Sequence, residues 1–329
     1  MTIIYIKKTL EVPMKKSTKL FLFTVSTTVT GIYIYNRFIE QTATKNNLLK
    51  DTHGNYYAWK HGNIYYTKTG NGSPILLVHD LNSTASLEEW RKIIHRFEKT
   101  HTVYCLDLLG CGRSDKPAME YTNYLYVQLL TDFVKEIIQE KTRVIATNMS
   151  ASSVLLANYI DEELFDKIIL INPVSLEELD IIPNSKSKLI KRLFELPFIG
   201  TFLFNKMNNS KKIDETFRTN YYKKPQLISS TMEDIYYEAA HLNGSNGRFL
   251  YASMIGNYLN NGAMHAVKNL TTPTLIIGSK EINKYALALD DYHKLNQNID
   301  IKKITNGNLY PHMEVPDKVY TLIENYISE

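Results

Sequence analysis

The chain has 329 residues, a net charge of +4 and 44% hydrophobic residues. That length suits one large domain, or a domain with an insertion, and the composition allows a packed core. Much of the positive excess lies in the first 20 residues, so the remainder is nearly neutral, which argues against a nucleic-acid-binding surface. Cys105 and Cys111 form neither a disulfide framework nor a CxxC metal pair.

A basic segment, residues 1–18, precedes a hydrophobic segment, residues 19–37, which is a candidate transmembrane anchor. Leu20 to Tyr35 contains no charge, although about 16 helical residues cover only roughly 24 Å of a bilayer core about 30 Å thick. Because lysines precede the apolar run, a single-pass anchor in the cell membrane is favoured, with the following domain extracytoplasmic. Residues 38–54 are polar and are predicted to be a linker.

Two other interpretations of the hydrophobic segment remain open. A cleaved signal peptide is less favoured, because no A-x-A-like site follows the apolar run. The segment could also be an amphipathic helix that packs on the domain, which would leave the protein cytoplasmic.

Strand and helix patterns alternate from residue 55 onward, first through residues 55–173 and again through 263–329. Two leading strands joined by a turn precede apolar runs such as Ile75–Val78, which are typical of strands buried on both faces of a parallel sheet. The predicted strands are 56–60, 63–67, 75–78, 103–106, 143–147, 167–172, 274–278 and 299–304, and the predicted helices of this part are 124–140, 150–159 and 318–327. This order predicts an α/β domain with a mostly parallel sheet flanked by helices.

Residues 174–262 break the alternation, since they contain helical patterns and little strand signal. The clearest helical stretches are 185–196, 231–242 and 248–259. We therefore predict a helical cap inserted between two strands of the sheet.

Four motifs in order carry a family resemblance. Residues 78–80 read VHD, residues 107–117 read DLLGCGRSDKP, residues 273–278 read PTLIIG and residues 311–316 read PHMEVP. With these motifs the chain resembles the α/β-hydrolase superfamily, nearest to its capped branch of epoxide hydrolases, haloalkane dehalogenases and carbon–carbon bond hydrolases. The resemblance implies a nucleophile on a turn between strand and helix, a histidine base and an acid that orients the histidine.

The nucleophile position falls within residues 144–153, which read VIATNMSASS. The family spacing fits without a gap if Asn148 stands at this turn, the nucleophile elbow, with Ala146 and Ser150 in place of the usual flanking glycines. A shift of two residues makes Ser150 an alternative nucleophile. A side-chain amide such as that of Asn148 is not a useful nucleophile at neutral pH.

The resemblance places Glu281 at the acid position and Leu309 at the base position, since Gly-His-x-Pro of the family is replaced by residues 308–311, NLYP. A one-residue insertion would put Asn308 there instead, and neither residue accepts a proton usefully. His312 corresponds to a non-catalytic histidine of the family, and His79 to a structural one. His241 and His265 are more typical of interior or surface histidines than of relocated bases.

The resemblance assigns the oxyanion hole, a pair of backbone N–H groups that stabilise a developing negative oxygen, to Leu81 and Met149. Asp80 stands where the family has glycine, and its carboxylate would disfavour an oxyanion nearby.

The sequence thus predicts a membrane-anchored α/β-hydrolase-fold protein with a degenerate triad, which binds a small apolar ligand or a protein partner without catalysis. The alternative is an active serine hydrolase for an ester or similar apolar substrate, using Ser150, Glu281 and a histidine from elsewhere. Whether the chain is an enzyme stays open at this point. No cofactor and no metal are implied, because the histidines lack HExxH or paired-ligand spacing.

Overall fold

An eight-stranded sheet forms the centre of the molecule, in a computed structural model that describes residues 15–50, 53–280 and 283–329. The strands are β1 Asn55–Trp59, β2 Gly62–Thr69, β3 Pro74–Val78, β4 Thr102–Leu106, β5 Thr142–Thr147, β6 Phe165–Ile171, β7 Thr274–Ser279 and β8 Asp300–Ile304. Their order across the sheet is β1-β2-β4-β3-β5-β6-β7-β8. The first two strands pair antiparallel and β2 joins β4 antiparallel, whereas all further pairs are parallel.

The central strands are buried along their length, as their unbroken apolar sequences predict. All five residues of β3 are buried, and so are the last four of β6. Two hydrophobic clusters cover opposite faces of the sheet, since neighbouring residues such as Leu76 and Leu77 belong to different clusters. The carboxyl ends of the parallel strands meet along one edge, which is where α/β proteins place their sites.

Fourteen α-helices occur in the described part of the chain. They are α1 Lys16–Ala43, α2 Ile94–Phe97, α3 Asn123–Phe133, α4 Ser150–Ile160, α5 Leu176–Leu179, α6 Ser185–Glu195, α7 Ile199–Met207, α8 Ser210–Thr216, α9 Ser230–Ser245, α10 Arg248–Ile255, α11 Met264–Lys268, α12 Asn283–Leu295, α13 Pro311–Glu314 and α14 Pro316–Ser328. The predicted helix over 124–140 corresponds to α3 and a π-helical turn, Val134–Ile138.

Helices α5 to α10 lie between β6 and β7, and the described residues of this segment contain no strand. The predicted cap, residues 174–262, falls within this segment. The sequence patterns did not indicate α5, α7 or α8. The cap contributes its own buried cluster, which includes Phe217, Tyr221 and Tyr236 and extends to Tyr310 of the core.

The N-terminal apolar segment forms part of α1, which is longer than the predicted anchor and continues to Ala43. Across residues 15–50, 53–280 and 283–329, no helix combines the length and the apolar character that a membrane crossing requires. The predicted single-pass span over residues 19–37 is therefore not supported.

Candidate functional site

The turn between β5 and α4 carries Asn148 in a left-handed conformation, with φ of +45°. Its backbone N–H donates to Ile171 O at 3.0 Å, which ties the turn to the neighbouring strand β6. Asparagine adopts positive φ more readily than most residues, so it suits this position. The side chain of Asn148 faces the cavity described below.

Ser150, the alternative nucleophile, lies in the first turn of α4 rather than at the left-handed residue. Its side chain is buried, and its hydroxyl donates to Thr147 O at 2.7 Å. It is absent from the residues that line the cavity. A serine in this state occupies a small-residue position beside the turn.

A carboxylate covers the backbone N–H that the resemblance assigns to the oxyanion hole. Met149 N donates to Asp80 Oδ1 at 3.1 Å. The other carboxylate oxygen accepts from Asn148 Nδ2 at 3.3 Å and from the Tyr310 hydroxyl at 2.7 Å. Leu81, the second assigned residue, is buried and lines the same cavity. Asp80 therefore places its own negative oxygen where a substrate oxygen would have to bind.

The charge of Asp80 is set by opposing influences. Burial and the nearby negative charge of Glu89 raise the pKa of Asp80 to about 6. The three hydrogen bonds that the carboxylate accepts act in the opposite direction. At pH 7 such a group is mostly ionised. An oxyanion developing beside it would meet a like charge in a site of low dielectric.

A second buried carboxylate, that of Glu89, accepts a hydrogen bond from the backbone of Asp80. Glu89 Oε2 accepts from the Asp80 backbone N–H at 3.1 Å, and Glu89 Oε1 accepts from the Thr147 hydroxyl at 2.7 Å. His312 Nε2 lies 3.1 Å from Glu89 Oε1, but its angle is too poor for a hydrogen bond. The imidazole stacks on Trp90, with ring centroids 4.6 Å apart. His312 is thus part of the core beneath the site.

The position that the resemblance assigns to the base holds an apolar side chain. Leu309 is buried and lines the same cavity as Asn148. Asn172 Nδ2 donates to Asn308 O at 2.9 Å and to Leu309 O at 2.8 Å, while its Oδ1 accepts from Ser279 N. These hydrogen bonds of Asn172 hold the loop after β8 against the sheet, and they fix the backbone of Leu309 in place.

No histidine is among the residues that line this cavity. His79 donates from Nδ1 to Asp80 O at 2.7 Å and accepts at Nε2 from Leu108 N at 3.0 Å, so both ring nitrogens serve the backbone. Burial lowers the pKa of His241 to about 4, which keeps that ring neutral. His265 lies on α11, edge-on to Tyr159.

Glu281, the residue at the acid position, lies outside the described residues. Within the described ranges, no group of three histidine, cysteine, aspartate or glutamate residues could hold a metal ion.

The cavity between the cap and the carboxyl edge of the sheet has a volume of about 590 Å³. Most of its lining side chains are polar, and they include two carboxylates and five asparagines, but no lysine, arginine or histidine. The polar lining residues are Asp80, Asn82, Asn148, Glu178, Thr216, Asn220, Tyr221, Asn257 and Asn260. The wall is therefore acidic and rich in amide groups.

Sequence reasoning placed Asp80 near the oxyanion hole but missed Tyr310 and Glu89 as its neighbours. Neither residue belongs to a position at which the resemblance implies a role. Tyr310 is 230 residues from Asp80, so only the fold brings them together.

Comparison with known proteins identifies the family. A model of the alpha/beta hydrolase fold matches residues 73–299. The chain belongs to the α/β-hydrolase fold family. A curated relative, the 2-hydroxy-6-oxo-6-(2'-aminophenyl)hexa-2,4-dienoic acid hydrolase of Metapseudomonas resinovorans, is 28% identical over 111 residues. That match covers 33% of this chain and 38% of the relative's own length.

Solved structures share the same fold. An epoxide hydrolase matches with a TM-score of 0.66 and 18% identity, over 84% of this chain and 98% of its own. A bacterial membrane phospholipase A matches with a TM-score of 0.66 and 14% identity, over 95% of this chain and 98% of its own. At these identities the likeness establishes the shared fold.

Proposed function

We propose that this chain is a non-catalytic member of the family that binds a small polar ligand in the cavity under its helical cap. The observation that carries the proposal is the Asp80 carboxylate, which accepts the Met149 N–H at 3.1 Å. Hydrolysis of an ester requires that this donor stabilise a developing oxyanion, and the hole contributes roughly 10²–10³ in rate per donor. In this chain the Met149 N–H already donates to the carboxylate of Asp80.

The neighbouring positions support the same proposal. Asn148 at the elbow offers an amide, and Leu309 offers no proton acceptor. Loss of nucleophile or base costs on the order of 10⁴ to 10⁶ in rate in serine hydrolases. The three residues together argue for a binding role rather than for a weakened enzyme.

The lining of the cavity favours a ligand that carries an amine. Asp80 and Glu178 supply negative charge, the asparagines supply amide donors and acceptors, and the lining holds no basic side chain. An ammonium group beside Asp80 would gain charge-assisted hydrogen bonds. We therefore replace the small apolar ligand expected from the sequence with a small amine that also carries hydroxyl or amide groups.

Labelling with a fluorophosphonate probe tests the absence of catalysis. We expect no stable labelling of the full chain under conditions that label an active serine esterase completely. Stable labelling that Ser150→Ala abolishes and Ser153→Ala retains would overturn the proposal. Ser153 is a suitable control because it is also a buried serine of α4.

Thermal-shift and calorimetric titrations test the ligand class. We expect glucosamine and short hydroxyalkylamines to raise the melting temperature more than glucose or acetate at the same concentration. Asp80→Asn should remove this preference, whereas Glu177→Gln, an exposed change outside the cavity lining, should keep it. Equal binding of neutral or acidic compounds would refute the amine class while leaving the labelling result to decide on catalysis.

A further inference from the structure

The amino-terminal half of α1 exposes large apolar side chains to solvent. Leu20, Phe21 and Phe23 are 67%, 66% and 68% exposed. The exposed apolar residues of this helix also include Leu22, Val25, Val29, Tyr33, Ile34 and Phe38. Contiguous apolar surface of this kind is rare on soluble proteins unless it marks an interaction site.

The cap adds to the same surface. Phe21, Val25, Val29 and Ile32 follow each other along α1 at helical spacing and face the segment 197–199 across an open apolar groove. Phe198 and Ile199 of that segment remain 48% and 47% exposed, so the two sides do not bury each other. We call residues 20–34 of α1 together with 196–199 the α1–cap face.

Buried contacts fix α1 against the cap just after this face. Asn36 Nδ2 donates to Phe198 O at 3.1 Å, and Asn205 Nδ2 donates to Asn36 Oδ1 at 3.1 Å. The ring of Tyr35 packs edge-on against Phe202, with centroids 5.3 Å apart. The exposed half of α1 is therefore held in one orientation relative to Phe198 and Ile199.

Three threonines within the apolar half of α1 donate their hydroxyls to carbonyl oxygens of the same helix. Thr24 donates to Leu20 O at 2.9 Å, Thr27 to Phe23 O at 2.6 Å and Thr28 to Thr24 O at 2.9 Å. A hydroxyl bonded to a carbonyl of its own helix loses less on leaving water than a free hydroxyl does. These threonines are thus compatible with contact to lipid.

Basic side chains border the apolar surface on both of its components. Lys16 and Lys19 begin α1, and the exposed Arg192 lies in the last turn of α6, which leads into the segment 196–199. Cationic side chains around an apolar helix match the headgroups of anionic lipids. This charge complementarity favours an anionic lipid surface over other possible partners of the α1–cap face.

We propose that the α1–cap face is a membrane-docking surface, which seats in the headgroup and upper acyl region of an anionic bilayer. Interfacial seating requires an apolar surface with basic neighbours, and it does not require a helix that crosses the bilayer. The proposal is independent of what the cavity binds.

Co-sedimentation of the full chain with vesicles tests this surface. We expect binding to vesicles of phosphatidylcholine with phosphatidylglycerol, and binding weaker by roughly tenfold or more to phosphatidylcholine alone. Phe21→Ser with Val25→Ser, and separately Ile199→Ser, should each weaken binding to the anionic vesicles by roughly tenfold or more. Leu287→Ser, a change of an exposed leucine on α12, is the matched control and should bind as the unmodified chain does.

Folding and association need to be followed in the same variants. Unchanged circular dichroism and thermal melts would show that the serine variants are folded. Lys16→Gln with Lys19→Gln is a second test of vesicle binding, because this variant leaves the apolar residues intact. Serine variants that bind vesicles as well as the control would overturn the proposal. So would an unmodified chain that ignores vesicles but forms dimers which Ile199→Ser dissociates, because the face would then join two copies.

Discussion

Tyr310 donates its hydroxyl proton to Asp80 Oδ2 at 2.7 Å, which joins the loop after β8 to the end of β3. The contact orients the carboxylate so that its other oxygen receives the Met149 N–H. Both partners are buried.

The first prediction concerns the dependence of stability on pH. In the folded protein the pKa of Asp80 is raised to about 6 from an ordinary value of 3.8, so the native state binds more protons than the unfolded state between these values. The contribution of Asp80 is therefore most favourable below pH 3.8 and is lost as the pH rises through 6. We expect the free energy of unfolding of Asp80→Asn, relative to that of the unmodified chain, to rise by about 2 kcal/mol between pH 4 and pH 7.

Denaturant unfolding at pH 4, 5, 6 and 7 measures this difference. Asp234→Asn, at an exposed position on α9, is the control and should shift little across the series. A constant difference between Asp80→Asn and the unmodified chain would contradict the raised pKa.

The second prediction concerns the hydroxyl of Tyr310. Tyr310→Phe removes a donor to a charged acceptor, so we expect a loss of about 1.5–3 kcal/mol in unfolding free energy at pH 7. The loss should shrink at pH 4, where the carboxyl is protonated. Tyr292→Phe removes a comparable buried hydroxyl that donates to Val174 O, a neutral acceptor, and its cost should not vary with pH. Equal pH profiles for the two variants would refute the assignment.

The third prediction concerns recovery of catalysis. Asp80→Gly with Asn148→Ser and Leu309→His supplies a nucleophile, a base and an open oxyanion hole, and Glu281 stands at the acid position implied by the family. We expect p-nitrophenyl acetate hydrolysis above background and labelling by a fluorophosphonate. The double variant that keeps Asp80 should be slower by about 10² or more. Equal rates with and without Asp80 would show that the carboxylate does not block the hole.

The fourth prediction rests on the proposed amine ligand. Binding should strengthen as the pH rises from 5 to 7.5, because Asp80 ionises over this interval and the amine stays protonated. Isothermal titration of ethanolamine, a hydroxyalkylamine that stays protonated throughout this interval, measures the change at the two pH values. We expect Asp80→Asn to give a flat profile. A ligand that binds more tightly at pH 5 would contradict the role of Asp80.

The sequence predicts the sheet well because its central strands are unbroken apolar runs. Ile75–Val78 and Ile168–Ile171 need burial on both faces, and few arrangements other than a parallel sheet provide it. Helices α7 and α8 were not predicted, for opposite reasons. Ile199–Met207 is apolar around most of its circumference, whereas Ser210–Thr216 is short and mostly polar, so neither shows an amphipathic stripe.

The candidate site could be predicted only where spacing along the chain determines it. The spacing of the family pattern implied that Asn148 stands at the turn after β5, and the structure gives this residue a positive φ, while its role remains a prediction. The contact of Asp80 with Tyr310 depends on two loops that the sheet brings together. Side-chain pairing across such a distance leaves no periodic signal in a single sequence.

The positive φ of Asn148 has a consequence for the stability of the scaffold. A serine nucleophile forced into this conformation stores backbone strain, which active members of such folds sustain because catalysis needs it. Asparagine relieves part of that cost. If the chain is non-catalytic, as proposed, the turn need not store this strain. Asn148→Ser should therefore slightly lower the free energy of unfolding, even where it makes the site more reactive.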